Sequence, residues 1–236
     1  MHQVGVGGLI ISESNAEAYM GSLHAFLAIY GWRACGSVPA FQAVYGDYSI
    51  RVGAEGWDFN DMPSVRALLA QQLVTGHVLG WFDVHKATSA FSSSAGDLRF
   101  LRSLCAIRTH NMDYLAFGRM MRPPRIVSRV PYGPRHTPGY PNCSVPAIAS
   151  SCWRSSNGSV ALFVANHHNS SVSVALEIVV DRHWGPLHNK CELTQDANST
   201  NRIVFNVTMN PLSATTAYLH PGRGCRFTQV PVAGRI

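Results

Sequence analysis

The chain changes rhythm near residue 120. Before it, short unbroken apolar runs alternate with stretches whose apolar residues recur every three or four positions. Residues 8–12 (GLIIS) read as a buried strand. Residues 15–30 read as a helix, with Ala16, Met20, Leu23, Leu27 and Tyr30 near one face. Residues 38–45 (VPAFQAVY) form a second apolar run, too short to favour a helix, and read as a strand. Asp61-Met62-Pro63 opens a strong helix, because Asp and Pro suit a first turn. Val65, Leu68, Leu69, Leu73 and Leu79 carry it towards Trp81-Phe82. A further helix is read from a cap at Asp97, with Leu98, Leu101, Leu104, Cys105, Met112 and Leu115 as its buried stripe and Gly118 past its end. Unbroken apolar strands alternating with helices predict a parallel sheet covered by helices.

After MMRPPR, which reads as a boundary, the pattern becomes β-branched and mostly alternating. Residues 160–166, 172–180, 202–209 and 214–220 are the expected strands, punctuated by Gly, Pro and Asn. They predict an antiparallel β-sandwich of about 110 residues. The expected fold class is therefore α/β plus all-β, with one unit over residues 1–120 and a second over residues 125–236.

Composition narrows the partners. The chain has 236 residues, 46% hydrophobic and 14% charged, which excludes a disordered chain. The formal charge of +6 is spread over scattered residues with no Lys/Arg run longer than two, and prolines interrupt the local excess at 120–135. That argues against a nucleic-acid partner, which requires a clustered basic face. No apolar stretch approaches the ~20 residues of a membrane span. The first ten residues, MHQVGVGGLI, do not read as a signal peptide, for they lack a basic start and lead into Glu13. Five Asn-X-Ser/Thr sequons, at Asn142, Asn157, Asn169, Asn198 and Asn206, fall in the strand-rich half, where chance predicts about two. They point to a glycoprotein of the extracellular space or secretory lumen. The six cysteines fit that compartment, and the four at 143, 152, 191 and 225 suffice for two disulfides in any of three pairings. No CxxC or HxxxH spacing suggests a metal, and no cofactor is implied.

The candidate chemistry starts at the first strand. Glu13 follows GLIIS at the C-terminal end of a parallel strand, where open α/β sheets and (β/α)8 barrels hold their ligands. Glu17 lies in the first turn of the helix expected next, where a carboxylate is also favoured by the helix dipole. Asn15 stands between them. In the second run, Gln42 is a polar residue within an apolar strand and faces either a polar mouth or a structural partner. Tyr45 suits a sugar face or a core, and Asp47 follows it. Trp57 and Asp58, in a loop between glycines, form another candidate rim; Trp32, Trp81 and Trp153 are assigned to the core.

The blocks SESNAEAYM, VPAFQAVYGDY, AQQLVTGHVLGWF and FLRSLCAIRTHNMDYLAFGRMMRPP, in that order, resemble the C-terminal part of domain-of-unknown-function family 6259. That resemblance covers residues 8–125. It implies a glycoside-hydrolase-like protein, with the C-terminal portion of a (β/α)8 barrel followed by a β-sandwich, and a carbohydrate substrate or ligand. By analogy with retaining barrel glycosidases, it gives Glu13 the nucleophile's role, with Asn15, Glu17, Gln42, Tyr45, Asp47 and Trp57 near the sugar. Glycoside hydrolysis needs two carboxyl groups. Asp47 and Asp58 are candidates for the second, but the usual acid comes from an earlier strand. The expectation is that the missing N-terminal barrel half lies upstream, and that residues 1–236 alone do not hydrolyse a glycoside. The alternative is a non-catalytic secreted carbohydrate-binding or structural glycoprotein.

Overall fold

The computed structural model describes residues 10–13, 22–27, 40–46, 48–53, 57–135, 143–179, 202–219 and 228–230. Three short strands, β1 (Ile11–Glu13), β2 (Ala25–Leu27) and β3 (Ile50–Val52), pair in parallel in the order β1-β2-β3. A parallel bridge from Val52 to Val78 adds a fourth position. One row of the register joins Glu13, Leu27, Val52 and Val78; the row before it joins Ser12, Phe26 and Arg51.

Two expected elements change type here. Residues 25–27 are strand β2 rather than the end of a helix. Ala40–Tyr45 is helix α1 rather than a strand. Its six residues pair Phe41 with Tyr45 across one turn, ring centroids 4.9 Å apart, and place Gln42 against Gly46. Those are helical spacings, and Pro39 before them suits a helix start. The run is apolar at both periods, so its pattern alone does not separate them.

α2 (Met62–Val74) begins as expected, with Asp61 as N-cap accepting from the Ser64 amide at 3.3 Å and its hydroxyl at 2.5 Å. It ends earlier than expected, at the left-handed Gly76, after which the chain turns to bridge at Val78. α3 (Val84–Ser92), α4 (Ala95–His110) and α5 (Met112–Leu115) follow. Ser94, not Asp97, caps α4; Asp97 sits in the first turn and pairs with Arg66 through both carboxylate oxygens. The buried face of α4 is Phe100, Leu104 and Ile107, whereas Cys105 and Met112 are exposed.

The MMRPPR stretch carries the chain into two sheets. β4 (Arg119–Met120) and β5 (Arg125–Ile126) flank its prolines, and the hairpin of β6 (Tyr132–Arg135) and β7 (Cys143–Pro146) follows. The long strands are β8 (Ile148–Arg154), β9 (Val160–Asn166), β10 (Val172–Val179), β11 (Arg202–Met209) and β12 (Ser213–Leu219), with a short β13 (Thr228–Val230). They form two antiparallel sheets, β13-β12-β9-β8-β4 and β11-β10-β5. Every residue of β9 is buried, because both of its faces are covered. Val160, Leu162 and Val164 pack with Val174, Leu176 and Ile178 of the second sheet. Ala161, Phe163 and Ala165 pack with the helices, in one core with Leu69, Leu73, Phe100, Leu104 and Trp153. The indole N–H of Trp153 donates to the Val74 carbonyl at 3.0 Å, tying the sheet to the end of α2. No helix among the described residues is long and apolar enough to cross a membrane.

Candidate functional site

The parallel strands have two ends, and the residues singled out from the sequence divide between them. Glu13 is the last residue of β1. Trp57 lies in the loop that follows β3, and Trp81 follows the Val78 bridge. All three belong to the C-terminal end. With strands ~4.8 Å apart, the register row from Glu13 to Val78 spans ~14 Å.

The corner beside Val78 is built by close approach. The Val78 amide donates to the Arg51 carbonyl at 2.7 Å, and the Gly53 amide donates to the Val78 carbonyl at 2.8 Å. Gly53 has φ +59°, and a Cβ there would stand 2.5 Å from the Trp81 Cβ and 2.7 Å from the Gly80 carbonyl oxygen. Gly80 donates its amide to Gln72 Oε1 at 3.2 Å. Trp81 itself has φ +59°, a conformation that costs a non-glycine residue of order 1–3 kcal/mol. It is 38% exposed, so its assignment to the core is corrected. The Trp57 indole N–H donates to the Trp81 carbonyl at 2.9 Å, while its ring stacks on Phe59 and meets Phe82 edge-on. The corner is therefore a rigid aromatic rim. A left-handed tryptophan next to two glycines leaves only a faint trace in sequence, the LGWF run.

Behind the corner the sheet is covered. Phe26 and Arg51 are buried, and Phe41 of α1 packs on both, 4.2 Å from the Arg51 guanidinium carbon. Burial lowers Arg51 to about 10. His77 is fully buried and held well below its ordinary pKa, first by burial and then by the Arg51 and Arg108 cations. Its ring Nδ1 meets the Thr75 hydroxyl at 3.0 Å, and Arg108 Nε donates to its carbonyl at 2.7 Å. α4 thereby fixes the segment that presents Val78. On the opposite face, Leu27, Val52 and Val78 are only half covered and Ile11 is 44% exposed.

Gln42 and Tyr45 do not join this site. Both lie on α1, whose chain leads through Tyr48 into the start of β3, so they belong to the N-terminal end of the strands. Gln42 is buried against Gly46, and Tyr45 packs on Phe41. Asn15, Glu17 and Asp47 lie outside the described residues. Asp58 accepts from the Asn60 amide and side chain, shaping the turn before α2. Four of the other described carboxylates are engaged in structure. Asp61 and Asp83 cap helices, Asp97 pairs with Arg66, Glu177 pairs with Arg125, and Asp113 sits in the first turn of α5. No group of three or more His, Cys, Asp or Glu suited to a metal occurs among the described residues.

Of the sequons, Asn157, Asn169 and Asn206 are described, and all three are exposed. Asn142 and Asn198 lie outside. Cys143 is disulfide-bonded, whereas Cys152 is a free thiol buried in β8. Two disulfides among cysteines 143, 152, 191 and 225 are thus ruled out.

No family model matches the chain. It is similar to a protein of Monosiga brevicollis named "Putative glycoside hydrolase 22789", at 31% identity over a 141-residue alignment. That alignment covers 50% of this chain and 12% of the relative, so the chain spans only a small part of the relative's length. Over half its length the chain is thus related to a glycoside-hydrolase-like protein. Among solved structures, a GH30 endoxylanase from Clostridium papyrosolvens C71 superposes at a TM-score of 0.36 with 10% identity, over 91% of this chain and 56% of that one. A superposition that loose carries no argument.

Proposed function

We propose that this chain is part of a larger glycoside-hydrolase-like protein that acts on or binds carbohydrate, with Glu13 as its nucleophile. The observation that carries the reading is the position of Glu13, at the C-terminal end of a parallel strand and in register with the Val78 corner. Parallel α/β folds hold their ligands at that end. The similarity to a protein named as a glycoside hydrolase supports the same reading. On this reading β1, β2, β3 and the Val78 bridge are the last part of a (β/α)8 barrel, within residues 1–120. The two antiparallel sheets are its trailing β-sandwich, within residues 125–236. Trp57 and Trp81 frame the sugar site, since aromatic rings bury the apolar face of a sugar. Asn15 and Glu17 follow Glu13 closely enough in sequence to assist there.

Hydrolysis also requires a proton donor on the far side of the glycosidic bond. In (β/α)8 barrels catalytic residues come from the ends of several different strands, so the donor is assigned to an earlier strand in another part of the larger protein. This favours one consequence: residues 1–236 bind oligosaccharide and leave it uncleaved. Titration calorimetry with soluble oligosaccharides, paired with a reducing-end assay, tests it. Hydrolysis by the 236-residue chain would overturn the assignment of the donor. The structural engagement of Asp61, Asp83, Asp97 and Glu177 favours a second reading, a non-catalytic carbohydrate-binding glycoprotein. It predicts binding that survives Glu13→Gln and no hydrolysis by the larger protein. In both readings the chain is a product of the secretory pathway, carrying glycans at its sequons.

A further inference from the structure

A second concavity lies between α2, the β6 strand and the turn joining β9 to β10. Pro63, Arg66, Gly133, Pro134, His168 and Asn169 line it, around a cavity of about 110 Å³ that opens to solvent. Asn169 is the acceptor of an Asn-Ser-Ser sequon and is exposed. Arg66 Nη1 donates to its Oδ1 at 2.6 Å. A guanidinium has only donors, so the carboxamide presents its oxygen to Arg66 and its nitrogen away from it. Nδ2 makes no hydrogen bond with the described residues. Arg66 is itself held, since Nε and Nη2 grip the two oxygens of buried Asp97. The acceptor amide is therefore oriented by a rigid pair at the edge of the concavity. His168 completes the wall, with Nδ1 engaged to the Ser170 hydroxyl at 2.8 Å and Nε2 unengaged among the described residues.

We propose that Asn169 carries an N-linked glycan whose first sugar is seated in this cleft. The proline rings and the imidazole offer flat apolar surface to the sugar ring, and His168 Nε2 offers it a polar contact. In the attachment step, Asn169 Nδ2 bonds to the anomeric carbon of a lipid-linked oligosaccharyl pyrophosphate. The bond from that carbon to the pyrophosphate oxygen breaks, the pyrophosphate leaves with the electron pair, and Nδ2 gives up one proton. The proposal rests on the secretory reading and not on hydrolysis. Asn157 is exposed and takes no part in this cleft. Its Oδ1 is taken up within its own turn by Ser155 and Ser159, so a sugar there projects into solvent.

The test uses the full chain secreted from a eukaryotic host, with site occupancy read by peptide mass spectrometry. An amidase that cleaves the sugar–asparagine bond is applied to the folded protein. Release at Asn169 is expected at least about ten-fold slower than at Asn157, because the bond must first leave the cleft. Gly133→Leu fills the cleft without strain, since a Cβ at Gly133 meets only His167 Cε1 at 3.9 Å and His168 Cδ2 at 4.0 Å. It is expected to bring the two rates within about two-fold. Unfolding before digestion equalises the rates and controls for the enzyme's own preferences. Equal release in the folded wild type overturns the seat, as does a rate difference that persists in Gly133→Leu. Asn157 occupied with Asn169 bare overturns the site. All sequons bare overturns the secretory reading with it.

Discussion

Gly53 and Trp81 are so close that a Cβ on residue 53 would stand 2.5 Å from the Trp81 Cβ. Both residues are left-handed, at φ +59°, so the corner is held by backbone contact rather than by side-chain packing. Gly53→Ala meets the clash and the conformational cost together. It is expected to lose about 2–4 kcal/mol in denaturant unfolding. Trp81→Ala is expected to stay within about 1 kcal/mol of wild type, since the residue is 38% exposed, and to weaken oligosaccharide binding in calorimetry.

His167 makes stability depend on pH. Burial lowers it from 6.5 to about 4, and its Nε2–H donates to the Pro146 carbonyl at 2.8 Å. Between those values the unfolded chain binds a proton that the folded chain does not. The contribution is complete above 6.5 and is lost as pH falls towards 4, by roughly 3 kcal/mol. His77, lowered for the same leading reason, adds to the loss with the same sign. Urea unfolding at a series of pH values is expected to show the decline, and His167→Gln to shrink it.

Arg66 and Asp97 join the start of α2 to the start of α4, with the Asp97 side chain only 2% exposed. Arg66→Ala leaves that carboxylate buried without its cation, at an expected cost of about 3–5 kcal/mol. The double variant Arg66→Met/Asp97→Leu is expected to recover most of the loss, as a buried pair contributes little over apolar packing. A double-mutant cycle in denaturant measures both.

The two free thiols among the described residues separate by burial. Cys105 is exposed on α4, while Cys152 is fully buried with its thiol pushed up to about 12. An alkylating reagent is expected to label Cys105 in the folded protein and Cys152 only after unfolding, as read by mass spectrometry.

How far the fold was legible followed from how far one period ruled each stretch. The strands from 160 to 219 lie within a residue of their expected bounds, because β-branched residues and turn signals agreed there. The start of α2 was legible because Asp61 and Pro63 act locally. AFQAVY was not, for Phe41, Val44 and Tyr45 satisfy a helix as well as a strand. Ala25–Leu27 was hidden inside a longer helical rhythm that its sheet neighbours override. Glu13 was legible as a strand-end acid, since an apolar run before a carboxylate is a local signal. Trp81 was not, because its exposure follows from a left-handed turn set by contact with Gly53.

The most direct test of the central claim is the initial rate of aryl-glycoside hydrolysis by the larger protein carrying this chain, with Glu13 and with Glu13→Gln. The account predicts a fall of at least about a thousand-fold with folding retained. A folded Glu13→Gln protein that hydrolyses at the wild-type rate would contradict it.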